Sequence, residues 1–233
     1  MTAGANGDPA ELRAPAQVAV FDLDHTLTYW DTAARFFLWL LGRDPWKWAL
    51  GAPVLLLLSP LALVSETRGI PVRLAVWLAT FGRGEETLAV LARAHITQVS
   101  MRHGSFLRPE GRVRIEAHLS KGHTVVVATG ALEILAREIL DAERLTEVAV
   151  VGSSLRSRLG GLVVRRHCHG LHKIAMLQER GFAPPWAVVY SDHESDLPLL
   201  QAGTRQFIVN AKPQTVIRLL ALLGPSATAV TWR

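Results

Sequence analysis

Blocks of apolar positions along this chain predict strands and helices that follow one another in turn. Short runs rich in β-branched residues predict strands at Val18–Phe21, Thr124–Val127, Val148–Val151, Ala187–Tyr190 and Phe207–Val209. Apolar positions three and four apart predict helices at Pro109–Ser120, Leu132–Leu140, His172–Arg180 and Leu197–Ala202, and a further one from Pro213 onward. This alternation predicts an α/β fold: a doubly wound, mainly parallel sheet with helices on both faces and ligands at the carboxyl ends of its strands.

A long insertion follows the first predicted strand. We predict a catalytic core made of residues 17–27 and 108–233, with residues 28–107 inserted as a helical cap. Leu155–Val164, with Gly160-Gly161 at its centre, predicts a β-hairpin appended to the core. Residues 1–16 are rich in Ala, Gly and Pro and lack the apolar stretch of a signal peptide, so they predict a disordered lead-in.

Two carboxylates follow the first strand at a spacing of two residues. Asp22 and Asp24 would leave the sheet on one side, because residues two apart on a strand share a face. Carboxylates this close repel each other, and a hard cation such as Mg²⁺ is the usual remedy. The pair suits an aspartate nucleophile beside an aspartate acid/base, although an acidic surface pair explains this motif alone equally well.

Three later segments supply groups that suit the same site. Thr129 and Gly130 end a strand and precede a helix, an arrangement that can cradle a phosphate. Lys173, near the start of a helix, would balance the charge of a phosphate and a nucleophile. Asp192 would offer a further carboxylate to Mg²⁺, with Asp196 behind it. Taken singly, Thr129 is more often a turn residue, Lys173 a solvated helix charge and Asp192 a helix N-cap.

Taken together and in this order, the motifs resemble those of the haloacid dehalogenase superfamily of phosphatases, and of its phosphoserine-phosphatase-like subfamily IB, whose helical cap is inserted at this point. The resemblance implies a Mg²⁺-dependent phosphoric monoester hydrolase with an aspartyl-phosphate intermediate. It implies that Asp22 is the nucleophile and that Asp24 protonates the leaving group and later activates water. His25 stands where the family often has Gly, and we interpret it as a local adjustment of the turn.

The same resemblance implies roles for the remaining motif residues. The phosphate would be bound by Thr26, Thr129, Gly130 and Lys173. Mg²⁺ would be ligated by Asp22, by Asp24 through its carbonyl, and by Asp192. Asp196 would support Lys173 or a metal-bound water.

The charge of the chain indicates an anionic partner. The formal net charge is +5, and no basic run with interleaved aromatic residues indicates nucleic acid, so an anionic membrane surface is favoured. Cys168 is the single cysteine, which excludes an internal disulfide. We interpret Cys168 as a packing residue and His193 as a loop residue at the rim of the site. No specific protein partner is predicted.

The predicted cap is unusually apolar and contains five of the seven tryptophans: Trp30, Trp39, Trp46, Trp48 and Trp77. Residues 48–65 contain no charged side chain, so about residues 46–65 predict a membrane-associating segment flanked by interfacial aromatic residues. A helix that spans a bilayer needs about twenty apolar residues, and Pro53 and Pro60 would kink this one.

The order of the motifs limits how the cap could meet a membrane. Asp22 precedes the apolar segment and the other motifs follow it, so both ends of the insertion must lie on one side. One span cannot satisfy this, and Leu74–Phe81 is too short to return. A re-entrant or interfacial element is therefore favoured, with Arg68, Arg73 and Arg83 at headgroup level. The alternative is a soluble cap whose apolar faces pack on each other or across a dimer.

Two segments resemble the phosphatidylglycerophosphatase C group: Trp77-Leu78-Ala79-Thr80-Phe81-Gly82 and Arg166-His167-Cys168-His169-Gly170. This resemblance implies hydrolysis of phosphatidylglycerophosphate to phosphatidylglycerol at the bacterial inner membrane, with the core on the cytoplasmic side. Arg165 and Arg166 would then contact the lipid headgroup, unless they form a solvated strand end.

Two other functions fit the sequence. The first is a cytoplasmic phosphatase of the phosphoserine phosphatase type that hydrolyses a small metabolite. The second is a non-catalytic membrane adaptor, against which the complete set of motifs argues.

Overall fold

The computed structural model describes residues 17–58, 60 and 69–233. In this part of the chain the strands are β1 (Val18–Phe21), β2 (Thr124–Leu132), β3 (Ala149–Arg158), β4 (Gly161–Arg166), β5 (Trp186–Ser191), β6 (Gly203–Val209) and β7 (Ala227–Val230). They form one sheet in the order β4-β3-β2-β1-β5-β6-β7. All neighbours are parallel except β3 and β4, which form an antiparallel hairpin.

Helices cover both faces of this sheet. The helices α1 (Thr32–Gly42), α2 (Pro45–Leu58), α3 (Gly69–Thr80) and α4 (Glu85–His103) lie between β1 and α5 (Pro109–Leu119). They are followed by α6 (Glu133–Ala142), α7 (Leu171–Glu179), α8 (Leu197–Gln201) and α9 (Pro213–Leu223). The neighbouring residues Val20 and Phe21 of β1 belong to separate apolar clusters on opposite faces. The predicted mainly parallel α/β sheet is therefore confirmed.

Some element bounds differ from those predicted. Strand β2 continues past Val127 to Leu132 through an irregular stretch that starts at Thr129, so the next helix begins at Glu133. Strand β3 is continuous from Ala149 into the predicted hairpin. Strand β7 was not predicted, because Ala227–Val230 is a short edge strand with only alternate apolar positions.

The inserted helices are anchored to the core at both ends and along their length. An isolated bridge pairs Thr28 with Leu107, and the N–H of Arg108 donates to the carbonyl of Leu27 at 2.8 Å. Helix α4 packs on α6, and α3 packs on β4. Cap residues such as Phe36 and core residues such as Phe21 belong to one apolar cluster. The insertion therefore rests on the sheet and does not form a detached lobe.

Helices α2 and α3 are joined by a buried charged cluster. Lys47 is 2% exposed, and its ammonium contacts Asp44 at 2.9 Å and donates to the carbonyl of Phe81 at 2.8 Å. The guanidinium of Arg83 contacts the same Asp44 carboxylate at 2.5 Å. The position of Arg83 at headgroup level stays a prediction, and in the structure an intramolecular carboxylate already pairs with this guanidinium.

Apolar side chains are exposed on α2 and α3. Leu57 is 79% exposed and Val72 is 61% exposed, and the side chains of Trp46, Trp48 and Val54 are exposed as well. We call these five residues the apolar cap face. Helix α2 runs through Pro53 without ending there.

Parts of the predicted membrane segment lie outside the described residues, namely positions 59 and 61–65, as do Arg68 and the predicted lead-in 1–16. Within the described residues, none of the helices combines the length and the apolar character that crossing a bilayer requires.

Candidate active site

Asp22 lies at the carboxyl end of the central strand β1. Its N–H donates to the carbonyl of Tyr190 on β5 at 2.9 Å, so the backbone is fixed on one side by the sheet. The chain then turns through Leu23–Leu27, where His25 has a φ of 59°. This left-handed conformation costs an L-residue about 1 kcal/mol, which explains why glycine is favoured there. The turn brings Thr26 back towards Asp22.

Lys173 connects two carboxylates at the centre of the site. Its ammonium lies 2.5 Å from Oδ1 of Asp22 and 2.7 Å from Oδ2 of Asp196. The hydroxyl of Ser191, the last residue of β5, donates to the same Asp196 oxygen at 2.7 Å. The structure thus brings together residues from the ends of β1 and β5 and from the first turn of α7, as the sequence predicted.

Burial controls the protonation of this cluster. Burial raises the pKa of Asp22 well above its usual value, although the Lys173 charge acts in the opposite direction. Burial alone would lower the pKa of Lys173, but the Asp22 and Asp196 carboxylates outweigh it and raise that pKa. Lys173 therefore stays charged, and its charge offsets part of the cost of burying the Asp22 carboxylate.

Thr26 joins Asp22 to the carboxylate that follows β5. Its buried hydroxyl lies 3.4 Å from Oδ2 of Asp22 and 3.2 Å from Oδ1 of Asp192. Burial also raises the pKa of Asp192. The two carboxylates lie on either side of one hydroxyl, and burial makes each of them costly to ionise. A cation bound between them would lower the free energy of their ionised forms.

The donor chemistry of this place fits Mg²⁺. Asp22 and Asp192 supply carboxylate oxygens, and the Asp24 carbonyl would supply a third hard oxygen, as this ion prefers. Oδ1 of Asp196 is buried without a hydrogen-bond partner among the described residues, so the site still holds unused acceptor capacity. In the described part of the chain, no three side chains of the His, Cys, Asp or Glu types converge as a metal cage. The predicted set contains only two such side chains and a backbone carbonyl.

Asp24 is held by Thr32, the first helical residue of the cap. Its Oδ1 accepts hydrogen bonds from the N–H of Thr32 at 2.9 Å and from the Thr32 hydroxyl at 2.8 Å. Burial raises the pKa of Asp24 to about 6, and the Thr32 hydrogen bonds limit this rise. An aspartate with a pKa near neutrality can both give and take a proton, which suits the acid/base role.

Thr129 and Gly130 lie in the irregular last part of β2, which continues to Leu132. The Thr129 side-chain oxygen accepts the N–H of Ala131 at 3.0 Å. The hydroxyl of Ser153 on β3 donates to the carbonyl of Gly130 at 2.7 Å, and it accepts the N–H of Cys168 at 3.0 Å. The buried Ser153 hydroxyl therefore connects Gly130 of β2 to the loop that leads to Lys173.

The other residues singled out in the sequence lie around this centre. Arg166 forms a two-point ion pair with Glu179, while Arg165 is exposed at the end of β4. The ring nitrogen Nδ1 of His193 lies 2.9 Å from the hydroxyl of Ser195. Cys168 is fully buried, and burial raises its pKa to about 12, so it is a packing residue and not a thiolate nucleophile. The headgroup contacts of Arg165 and Arg166 stay a prediction.

Three residues of the site were not predicted: Thr32, Ser153 and Ser191. Ser191 directly precedes Asp192, and its position at a strand end was a usable signal. Thr32 and Ser153 act through contacts with Asp24, Gly130 and Cys168 that depend on the tertiary fold. A cavity of about 690 Å³ lies beside α6 and borders the site at Ser153, and its other lining residues include Leu88, Ile134 and Phe182.

The fold and the aspartate pair at the end of β1 define a hydrolase of the phosphatase type. The sequence matches the family described as haloacid dehalogenase-like hydrolase over residues 19–201. The chain belongs to this family. The arrangement of the site agrees with this assignment, because Asp22 and Asp192 follow β1 and β5 at the carboxyl edge of the sheet and Lys173 reaches Asp22 from α7.

Solved structures share this fold at low sequence identity. A protein of unknown function from Bordetella pertussis Tohama I has a TM-score of 0.66 and 19% identity, covering 93% of this chain and 99% of that one. A phosphoserine phosphohydrolase-like protein from Francisella tularensis subsp. tularensis SCHU S4 has a TM-score of 0.58 and 14% identity, covering 91% and 94%. A phospho-aspartyl intermediate analogue of phosphoserine phosphatase has a TM-score of 0.52 and 15% identity, covering 92% of each.

Proposed function

We propose that this protein is a Mg²⁺-dependent phosphatase that hydrolyses a lipid phosphomonoester, phosphatidylglycerophosphate, to phosphatidylglycerol. The catalytic part of the proposal rests on one observation above all. The Asp22 carboxylate is buried and held at 2.5 Å by the Lys173 ammonium, while Asp24, two residues further on, has a pKa of about 6. A fixed carboxylate nucleophile beside a neutral-range acid/base is what a two-step transfer through an aspartyl-phosphate needs.

The reaction follows from the roles of these side chains. An Asp22 oxygen attacks the phosphorus atom, the ester P–O bond breaks, and Asp24 gives its proton to the departing alkoxide. Asp24 then takes a proton from water, whose oxygen attacks phosphorus and releases Asp22 and inorganic phosphate. Lys173, Thr129 and the N–H groups near Gly130 hold the phosphate oxygens throughout. Mg²⁺, held by Asp22, Asp192 and the Asp24 carbonyl, would supply positive charge at the phosphoryl oxygens.

The lipid part of the proposal is supported by the apolar cap face. Leu57 of α2 and Val72 of α3 expose most of their side-chain surface. Trp46 and Trp48 are exposed near the start of α2. Tryptophan beside aliphatic side chains is typical of a surface that lies at the headgroup level of a bilayer. Such a surface lets the cap rest on the membrane while lipid tails stay in it. The resemblance to the phosphatidylglycerophosphatase C group supports this substrate.

We place the enzyme at the cytoplasmic side of the bacterial inner membrane. The net charge of +5 favours anionic lipid, at about 1 kcal/mol for each basic side chain near the surface. The cap would lie in the membrane–water interface, or enter and leave the bilayer through its cytoplasmic leaflet. The core would then stay on the cytoplasmic side.

A second candidate is a cytoplasmic phosphatase for a small phosphomonoester such as phosphoserine. Its support is the shared fold with phosphoserine phosphatases over most of the chain. The contacts of α3 and α4 with the core also fit a cap that closes over a small substrate.

Phosphate release from phosphatidylglycerophosphate in vesicles, compared with release from phosphoserine, separates the two candidates. We expect lipid hydrolysis that needs Mg²⁺, stops with EDTA and is absent in Asp22→Asn. Turnover of phosphoserine alone would overturn the lipid substrate and keep the phosphatase chemistry. Hydrolysis of neither ester would contradict both candidates.

The apolar cap face can be tested with matched exposed positions. Leu57→Asp with Val72→Asp should abolish vesicle sedimentation and lower lipid hydrolysis at least tenfold. The control is Leu222→Asp with Val113→Asp, which are 60% exposed on the core helices α9 and α5. Equal loss in both double variants would show that exposed apolar surface has no special role on the cap.

A further inference from the structure

We infer that a small pocket between α5 and the sheet binds a phosphate group at a site of its own, apart from the catalytic site. The pocket has a volume of about 180 Å³, and its cationic lining consists of Arg114, Lys121 and Arg205. The ligand is a phosphate group, either as free inorganic phosphate or as the headgroup of a phospholipid. This inference does not depend on the proposed function.

The pocket lies near the beginnings of the parallel strands. Gln17 directly precedes β1, His123 directly precedes β2, and Ala187 is the second residue of β5. The carboxylates Asp22 and Asp192 instead directly follow the ends of β1 and β5. Because these strands are parallel, their beginnings and their ends lie at opposite edges of the sheet. The pocket is therefore separate from the site around Asp22.

The lining of the pocket carries positive charge, and the lining residues that the structure describes include no carboxylate. Arg114 lies on α5, Lys121 lies just after it, and Arg205 lies on β6. Within the described part of the chain these three side chains form no ion pair, whereas Arg112 of the same helix α5 pairs with two glutamates. The guanidinium of Arg205 lies over the Phe207 ring at 5.5 Å. Cations gathered around one cavity repel one another, and an anion between them removes this cost.

A chain of hydrogen bonds adds a neutral donor to the pocket. The Tyr190 hydroxyl lies 3.0 Å from Nε2 of His118, and Nδ1 of His118 lies 2.9 Å from Nδ1 of His123. Burial, followed by the nearby positive charges, lowers the pKa of His118 to about 4, so this imidazole is neutral at pH 7. Because the Tyr190 hydroxyl has no other hydrogen-bond partner among the described residues, it donates to His118, which in turn donates its Nδ1 proton to His123. The remaining ring nitrogen of His123, Nε2, is then an N–H donor.

The size and the donors of the pocket fit a phosphate group. A volume of about 180 Å³ equals that of about six water molecules, which is enough for one phosphate group. Drug-sized ligands occupy pockets of about 300 Å³ or more. Guanidinium groups bind phosphate oxygens in a two-point geometry, and lysine is a common phosphate ligand.

Titration with inorganic phosphate tests this site. The protein is kept in EDTA, and NMR follows the imidazole signals of His123, which His123→Gln identifies. We expect a saturable shift with phosphate that chloride at equal ionic strength does not produce. Arg114→Gln with Arg205→Gln should raise the Kd for phosphate about tenfold or more, which is the value of one charge-assisted hydrogen bond. A shift that chloride reproduces would overturn the site.

A matched double variant separates the pocket from net charge. Arg102→Gln with Arg156→Gln removes two exposed arginines that lie outside the pocket and form no ion pair among the described residues. This control should change the Kd by about twofold or less. Equal weakening in both double variants would overturn the site, because the total charge alone would then explain the binding. Asp22→Asn should keep the His123 shift, and its loss would assign phosphate to the catalytic site and overturn the second one.

Sedimentation with vesicles in EDTA distinguishes the two sources of the phosphate group. Vesicles of phosphatidylcholine with phosphatidate present a phosphomonoester at their surface. If Arg114→Gln with Arg205→Gln sediments less with these vesicles than the control double variant, the pocket binds a lipid headgroup. If the two double variants sediment equally while only the first binds inorganic phosphate weakly, the pocket binds free phosphate.

Discussion

Two lysine side chains in the described part of the chain are almost completely buried, one in the core and one in the cap. Lys173 is 3% exposed and lies between the Asp22 and Asp196 carboxylates. Lys47 is 2% exposed and contacts one carboxylate, Asp44, together with backbone carbonyls at the carboxyl end of α3. The partners of Lys173 are carboxylates that follow β1 and β5, two strands far apart in the sequence. The partners of Lys47 instead connect two helices of the cap.

This difference shows what each region contributes. In the core, buried charges meet at the edge of the sheet, where a reaction can use them. In the cap, Asp44, Lys47 and Arg83 balance one another's charges, while several apolar side chains such as Leu57 and Val72 are exposed. In the proposed function the core carries the chemistry, and the exposed surface of the cap selects where and on which substrate it acts.

The largest expected effect comes from exchanging the two lysines for methionine. Lys173→Met leaves two buried carboxylates without their cation and should lower kcat/KM for a soluble phosphomonoester by about 10³-fold or more. Lys47→Met should cost about 2 kcal/mol of stability, because Asp44 keeps Arg83 but carbonyl groups lose their donor. Its kcat/KM should change less than threefold.

Both lysine variants are compared by kinetics and by thermal unfolding. If Lys47→Met lost activity as severely as Lys173→Met while remaining folded, the division of roles between core and cap would be wrong.

A second expected effect concerns the packing of β3 against the start of α6, next to Thr129 and Gly130. A Cβ on Gly152 of β3 would lie 2.6 Å from Cα and 2.7 Å from N of Glu133, where α6 begins. Backbone cannot move aside easily, so Gly152→Ala should cost about 3 kcal/mol and lower Tm by about 10 °C. Gly42→Ala, at the end of α1 with no atom within 4 Å, is the matched cap control and should leave Tm almost unchanged.

A smaller effect is expected at Ser153. Ser153→Ala removes the hydrogen bonds to Gly130 and Cys168, and should raise KM about fivefold with a smaller change in kcat. Ser120→Ala, which loses one exposed hydrogen bond to the Ala117 carbonyl, is the control. A fall in kcat with unchanged KM would show that Ser153 does not act through phosphate binding.

The smallest effect concerns the stability of the cap in acid. His95 packs against Phe36 and Trp39, and burial, with the charge of Arg35, lowers its pKa to about 4. Below about pH 6.5, His95 binds a proton in the unfolded chain but not in the folded protein. The free energy of unfolding therefore falls from pH 6.5 towards pH 4. The slope from this residue is at most about 1.4 kcal/mol per pH unit.

His95→Phe tests this by a difference in urea unfolding between pH 7 and pH 5. The variant should lose less stability on acidification than the wild type. His118 and Asp24 titrate in both proteins and cancel in the comparison. An unchanged difference would mean that His95 is protonated in the fold.

The sequence predicts the core well because its signals are local. Runs of β-branched and aromatic residues such as Val18–Phe21 favour buried strands, and residues at the carboxyl ends of parallel strands meet at one edge. The sequence therefore predicts that Asp22, Thr129, Lys173 and Asp192 lie near this edge.

What could not be predicted depends on contacts between distant segments. Nothing in the local sequence around Arg83 indicates its ion pair with Asp44, which lies 39 residues away in the chain. Ser153 is one of several serines until β3 is placed beside β2. Strand β7 pairs with β6 only after α9 has returned the chain to the sheet edge.

The hydrogen bonds from Thr32 to Asp24 have a consequence for how such enzymes can diverge. The first helical residue of the insertion holds the group proposed to donate the proton, at 2.8 Å and 2.9 Å. An insertion exchanged for another one would alter the environment of Asp24 unless its first helical residue also supplied these two donors. Under the proposed function, substrate choice and leaving-group chemistry would then be inherited together, through one threonine at the junction.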